Sequence, residues 1–453
     1  MFGRLLFAML VACMTVAGFS QGKLSIENVH AAYLRNSGTI MENNRIKGYF
    51  FLYQSDRIDR QTNEYTLQIL DQNVNKVIDI KFEDTKQLSL LEAAYNNSSL
   101  AFLFRNNDNK TLDLKIYDVE GKLKYTYTRR FDKRSDDLKN SHNRLRSDES
   151  TNQSIFDLGE KGYASVHPVC HGKQISYGID FYSSQAKSVW TYEPVATEEK
   201  FTEAKYLGST DSLIILQVSK KNRKLSNIVA PHIVVINYIT RKKEFEINSE
   251  NEDSIFSPTN VINIKEQGKI LVMGNYYSKE AKMLKGFSKG IAAYEISRNG
   301  ALLSKKYSSW AGGNLLMRRV IQSNGKLFAI AEGNNAKRAT AADMLMMELN
   351  NEYNVINATV YSKPDNAAYE FTARDADNSN FAVCFSDYVR SSAYKGLTFN
   401  SIRYNGEKFV TDRIKLKSKA SKIHVMPAKM GSVMIMEYFK KTKKLKLRIE
   451  KLG

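Results

Sequence analysis

Cysteine is nearly absent, with three in 453 residues. Cys13 falls in an apolar leader, leaving Cys170 and Cys384 beyond it. Two cysteines cannot make the disulfide framework of a small secreted scaffold. Each sits in an apolar run ("ASVHPVC", "NFAVCF"), where cysteine serves as a small core residue, with one bridge between them as the alternative. Proline is scarce at 6 residues, against 25 Tyr and 22 Phe. That balance excludes a disordered proline-rich polymer and suits strands joined by short turns. Beyond the leader no stretch approaches the roughly 20 apolar residues that a bilayer-crossing helix needs.

Familiar catalytic signatures are also missing: there is no GxxxxGK[ST] phosphate loop, no HExxH zinc motif and no GxSxG nucleophile elbow. The densest ligand-like group is His167, Cys170 and His171 in "HPVCH". Its spacing is not that of a zinc knuckle, it lacks a second pair downstream, and it inverts the CxxCH order of haem attachment, so no metal and no cofactor are expected. The carboxylate pairs Asp56 with Asp59 and Asp375 with Asp377 lie in turns or polar loops, where Asp bonds its own backbone, and no catalytic residue is assigned to them. Trp310 in "SSWAGGN" reads as an aromatic cover over the core, with sugar stacking as the other reading.

The chain opens "MFGRLLFAMLVACMTVAGFSQGK": a positive n-region at Arg4, an apolar run from Leu5 to Phe19, then small residues. This predicts an export signal over 1–20, cleaved after Ser20 with Gly18 at the −3 position. The competing reading is acylation of Cys13, since "LVAC" resembles a bacterial lipobox, although the "MTVAGF" that follows stays apolar where lipid-anchored chains turn polar. The mature protein is then exported to the periplasm or cell exterior, with an outer-membrane lipoprotein as the variant.

What is abundant is a repeat. A glycine or small polar turn followed by an apolar run occurs at 48, and again as "SSLAFLFRN", "KGYASVHPV", "TDSLIILQVS", "QGKILVMGNYY", "NGKLFAIAEG", "NSNFAVCFSDY" and "MGSVMIMEYF". These starts recur roughly every 50 to 60 residues, a period that signals a repeat architecture. Each is followed by a polar loop and a hairpin, turning at Asp118–Gly121, at Asn299 and Gly300, and at Asn405 and Gly406, where Asn-Gly offers two residues tolerant of positive φ. A further apolar segment precedes each start, as in "NVINIKEQG" or "KIHVMPAKMG", so the unit holds four strands, here A to D. The fold class is therefore all-β: a β-propeller of about eight four-stranded blades, with seven as the alternative count, and a solenoid or serial β-sandwiches as other architectures. The last copy ends after its C strand. "KLSIENVHAAY" (23–33) is spare at the other end and is expected to close the ring, which removes an open sheet edge. One propeller domain over 21–453 results, with a polar insertion at 132–154.

Charge is lopsided. The formal net charge is +19, and from Arg413 to Lys451 there are 13 Lys or Arg against 2 acidic residues. Much of the rest lies in loops between strands B and C: Lys220, Lys221, Arg223 and Lys224; Lys279, Lys282 and Lys285; Lys337 and Arg338; Arg390 and Lys395; and Lys440, Lys441, Lys443 and Lys444. Equivalent loops of a propeller emerge on one face, so these clusters are expected to form one basic surface, weakest at the first blade. Aromatics accompany them (Tyr276, Tyr277, Phe287, Tyr388, Tyr394, Tyr438, Phe439), a mixture that grips sugars beside anionic groups. The bland alternative is protection of hairpin tips by solvated lysines.

The segments "RIKGYFFLYQSDRIDRQTNEYTLQILDQNVN" and "LLEAAYNNSSLAFLF" resemble the opening of an uncharacterised family of exported proteins from Bacteroidota-type bacteria, a domain of unknown function. The resemblance implies an envelope location and supplies no activity or site residue. The expectation is a non-enzymatic exported protein that binds an anionic glycan, a lipid headgroup or a protein partner through its basic loops, in preference to nucleic acid. A hydrolase or lyase on an acidic polysaccharide, and a structural envelope component, are the alternatives.

Overall fold

The computed structural model describes residues 22–34, 37–42, 45–130, 154–195, 200–222, 229–264, 267–279, 287–312, 314–334, 342–362, 368–374, 380–390, 395–416, 418–429 and 431–452. The leader with Cys13, Asp375 with Asp377, and the insertion at 132–154 except for Ser154 lie outside them. The described residues form strands and turns with no α-helix. Their contacts divide the chain into two compact units, 1–86 with 418–453, and 87–417.

In the first unit, strands Lys422–Ala428, Ser432–Phe439 and Lys444–Lys451 form an antiparallel meander, and Lys23–Ile26 adds to its free side, Ile26 opposite Leu445 and Lys23 opposite Arg448. The N-terminal segment thus supplies the fourth strand that the last repeat lacks. It does not run as one strand to Tyr33: Asn28 turns at φ 60°, and Ala31–Ala32 crosses to pair with Gln54 and Tyr53 of the neighbouring sheet. That sheet holds Arg45–Arg57, Thr62–Asp71 and Lys76–Thr85, with Gly38–Glu42 also on its first strand. Tyr49, Phe51 and Tyr53 from it pack against Met434, Met436, Tyr438, Leu445 and Leu447, and Val29 is sealed between them.

The second unit is a succession of meanders. Four-stranded sheets run over 88–130, 254–309, 314–361 and 368–416. An eight-stranded sheet divides into Phe156–Asp157 through Val189–Tyr192 and Phe201–Ser209 through Lys242–Asn248, which one parallel pair, Ile175 with Phe201, joins. Neighbouring sheets pack face to face: Leu271 and Met273 meet Leu315 and Ala329, and Phe328 and Met346 meet Phe381 and Ile402. Sandwiching between two neighbours explains why second strands of the meanders carry apolar side chains on both faces. Ile270, Val272 and Met273 are fully buried, as are Ile214, Ile215 and Leu216, whereas outer strands such as Lys76–Thr85 alternate.

The Asn-Gly turns differ from the sequence expectation. Only Gly300 and Gly406 take positive φ (89° and 90°) at two of them, and a bulge between Glu295 and Ile296 absorbs the extra residue beside Gly300. The turn with both residues left-handed is Asn324 (φ 49°) and Gly325 (φ 71°), directly between the paired Ser323 and Lys326. The glycine at the head of strand B therefore has two physical origins. Gly325 serves a turn, while Gly162 lies against the backbone of Tyr182, where a Cβ would meet its carbonyl at 1.9 Å.

Buried polar side chains fasten sheet to sheet. Asn275, 1% exposed, donates to the carbonyls of Gly290 (3.3 Å) and Leu315 (2.9 Å) and accepts from the amide of Met317 (2.8 Å). Ser288 accepts from the amide of Leu315. Asn96 reaches from the 88–130 sheet to the Gly162 carbonyl and Ser184.

Candidate functional site

The hairpin Ser432–Phe439 to Lys444–Lys451 closes on the pair Phe439 and Lys444, leaving Lys440, Lys441, Thr442 and Lys443 as its loop. Lys443 ends the loop in the left-handed region (φ 50°), and its amide returns to the Lys440 carbonyl. The same turn recurs at 107–110, where Lys110 has φ 54°, so the backbone shape belongs to the loop type. The side chains differ: Asn107, Asp108 and Asn109 at one site, two lysines and a threonine at the other.

The N-terminal segment holds the base of this hairpin. The Val29 amide donates to the Lys443 carbonyl at 2.8 Å. The Tyr438 hydroxyl donates to the carbonyls of His30 (2.6 Å) and Val29 (3.1 Å). Ser421 accepts from the Lys440 amide at 3.2 Å. Lys444 pairs with Glu27 at 2.6 Å, a bond that holds the Glu27 carboxyl below its ordinary value, and Lys446 lies 5.3 Å from the Phe439 ring centroid.

Lys440, Lys441 and Lys443 are exposed, and among the described residues no carboxylate pairs with them. Lys443 Nζ lies 3.4 Å from His30 Nε2. Three ammonium groups on one four-residue loop concentrate positive charge in a short stretch of surface, which attracts a polyanion.

The other predicted cations fare differently. Lys220 and Lys221 are not free surface charges: Lys220 binds Glu246 at 2.9 Å and Lys221 binds Glu203 at 3.1 Å, both lysines largely covered. They lie on the strand Leu213–Lys221 rather than in the loop after it, and strand alternation turns them onto acidic neighbours. Lys279 is exposed and donates its amide to the Asp253 carbonyl. Arg223, Lys224, Lys282, Lys285, Lys337 and Arg338 lie outside the described residues, as do the side chains of Arg390 and Lys395.

Glu246 gathers several cationic partners. Besides Lys220 it meets Lys243 at 2.8 Å and His232 Nδ1 at 3.1 Å. Burial opposes its ionisation, but the hydrogen bonds and charges of Lys243 and Lys220 prevail and bring it to about 2.

The "HPVCH" residues do not converge. His167 is buried against Arg129 and Asp180, His171 pairs with Glu193 at 3.5 Å, and Cys170 lies on the opposite side of the strand. Asp59 accepts from the amides of Gln61 and Thr62, bonds that lower its carboxyl, as its turn position predicts. Asp56 bonds the amide of Arg57 and faces His30 at 3.9 Å. Trp310 packs on the 254–361 core, beside Leu315 and Met317. Inner-strand carboxylates are engaged too: Glu92 accepts from the amides of Ser154 and Ile155, and Glu203 is taken by Lys221. Sequence reasoning missed the Asn275 clamp and the Glu246 nest. An Asn inside the apolar run "KILVMGNYY" was the available signal for the first.

A family model described as "Family of unknown function (DUF6770)" matches residues 1–342 and 367–453. No curated protein matches the chain. Similar solved structures include a prolyl endopeptidase (11% identity, 91% of this chain and 54% of that one, TM-score 0.48). Prolyl oligopeptidase B from Galerina marginata is another (9%, 92% and 56%, TM-score 0.47), as is the β-propeller domain of the trilobed protease from Pyrococcus furiosus (9%, 86% and 97%, TM-score 0.41). The chain spans about half the length of the two peptidases.

Proposed function

The chain belongs to this family of unknown function, whose description assigns no activity, and from its own residues we propose that it is an exported, non-enzymatic binding protein that takes an anionic polymer at the Lys440–Lys443 loop. The observation that carries the reading is the contrast among its lysines. Lys220, Lys221 and Lys444 each have a carboxylate partner, whereas Lys440, Lys441 and Lys443 project from a hairpin whose base is fastened by five hydrogen bonds and ion pairs to residues 27–30 and 421. Preorganised, unneutralised cations bind anions with little ordering cost. Phe439 beneath Lys446 adds an aromatic face suited to a sugar ring, which favours an acidic glycan over a lipid headgroup.

The reading places the loop on an eight-bladed propeller closed by the Lys23–Ile26 strand. Two observations support it: that strand completes the terminal meander, and in the second unit the first strands adjoin, Gly208 coming so near Val261 that a Cβ would lie 3.1 Å from it. Export rests on the 1–20 leader, and no helix among the described residues is long and apolar enough to cross a membrane. Fluorescence anisotropy with a labelled sulfated glycan, run beside anionic vesicles, tests the proposal. Binding to neither probe, or binding indifferent to salt, overturns it; vesicle binding alone moves the ligand to a headgroup.

A further inference from the structure

Where the outer strand Leu123–Arg130 meets the next sheet, a second ionic cluster lies away from the hairpin. Arg129 Nη1 donates to Asp180 Oδ2 at 2.7 Å and lies 2.6 Å from His167 Nε2. His167 Nδ1 stands 3.5 Å from the same Asp180 oxygen. Thr191 donates to Asp180 Oδ1 at 2.7 Å and the Tyr182 hydroxyl to Oδ2 at 3.2 Å. The His167 and Asp180 side chains are each 7% exposed and Arg129 is 40% exposed.

The hydrogen assignment follows from chemistry. A guanidinium has donors only and does not lose its proton in proteins. At 2.6 Å, His167 Nε2 must therefore be the acceptor, and the imidazole proton sits on Nδ1, toward Asp180. The second imidazole proton can enter only at Nε2, the atom Arg129 occupies. Adding it there sets N–H against N–H and cation against cation. The ring lies over Gly178 of the paired strand, where a Cβ would come within 2.6 Å of Nε2, so only a glycine leaves room for it.

Asp180 remains an anion throughout. Burial opposes its charge, but positive charge beside it, on Arg129 while His167 is neutral and on His167 once it is protonated, and the Thr191 hydrogen bond outweigh it and hold its carboxyl below the ordinary value. Among the described residues, the charged and titratable groups facing His167 include Arg129 on the neighbouring sheet and Asp180 on the adjacent strand, with Tyr182 and Thr191 behind Asp180.

We propose that His167 is a proton-operated latch: while neutral it helps Asp180 hold Arg129 across the sheet boundary, and on taking a proton at Nε2 it expels Arg129 and replaces it as the partner of Asp180. One proton is taken up and no net charge leaves the pocket other than the guanidinium itself. Sheet-to-sheet contact at the end of strand 123–130 is then full while His167 is neutral and lost as falling pH protonates it. The Tyr127 hydroxyl, which donates to the carbonyls of Ser183 and Ala186, keeps the middle of the seam closed, so the opening is local.

The test is NMR of the whole protein labelled in histidine and arginine, titrated from pH 8 to 5, with amide hydrogen exchange read over residues 126–130. His167 protonation and a change at the Arg129 guanidinium are expected in one step, with exchange at 128–130 rising about tenfold beyond its intrinsic pH dependence. In His167→Gln, whose amide can mimic neutral histidine, Arg129 stays bound and the extra exchange disappears. In Arg129→Met, His167 takes its proton at higher pH than in the natural protein, because no cation has to leave. A merely structural ion pair predicts neither the shared step nor that shift. An Arg129 signal that does not move while His167 titrates, or a neutral His167 carrying its proton on Nε2, overturns the proposal.

Discussion

Replacing Glu246 by Gln should weaken the 87–417 unit strongly at neutral pH and much less in acid. The folded carboxyl lies near 2, against 4.5 for its ordinary value. Because the folded value is the lower one, the stabilisation is present above the unfolded value and is lost as pH falls from about 4.5 toward 2. The difference corresponds to a ceiling of about 3 kcal/mol at pH 7, at 1.36 kcal/mol per unit. Gln keeps one acceptor oxygen for Lys220 or His232, so the expected loss is about 2 kcal/mol. By pH 3 linkage leaves less than half of the wild-type stabilisation, so the gap between the two proteins should shrink to about 1 kcal/mol. Urea unfolding followed by circular dichroism at pH 7 and pH 3 measures both. A gap below about 0.5 kcal/mol at pH 7, or one that does not narrow in acid, refutes the reasoning.

Asn275→Leu removes the two bonds that tie the 254–309 sheet to Leu315 and Met317 together with the one to Gly290 within the sheet, and strands the Met317 amide, for an expected cost of about 2 to 3 kcal/mol in the same assay; a neutral outcome would show that the clamp is dispensable. Tyr438→Phe keeps the ring in the core and deletes both bonds to the Val29 and His30 carbonyls. It should cost about 1 to 2 kcal/mol and speed limited proteolysis between residues 22 and 32, and unchanged cleavage there would argue against the anchoring role.

The fold was legible where physics is local and periodic. The runs "LIILQV" and "KILVMG" are apolar on both faces because the strands they form lie between two packed sheets, and the spacing of such runs alone marked the repeat. The missing fourth strand of the last copy was legible as a deficit at one end and a surplus at the other. Its division after Ile26 was not, since the break depends on Asn28 turning left-handed and on Ala31 finding Gln54. The charge pattern was legible only in part. Counting identifies where lysines lie, but Glu203 and Glu246 reach Lys221 and Lys220 through strand register, so neutralisation is a tertiary fact. The same applies to Arg129 and His167, which are 38 residues apart and meet only because two sheets adjoin.

The central claim is that the Lys440, Lys441 and Lys443 loop binds an anionic polymer. Affinity for a labelled sulfated glycan, measured across a salt series for the wild type, a Lys440→Ser, Lys441→Ser, Lys443→Ser triple variant and a Lys444→Ser control, tests it most directly. The account predicts at least about a tenfold loss and a flatter salt dependence for the triple variant. The control should change little, because Lys444 is already spent on Glu27. Equal affinity and equal salt slope in the wild type and the triple variant would contradict it.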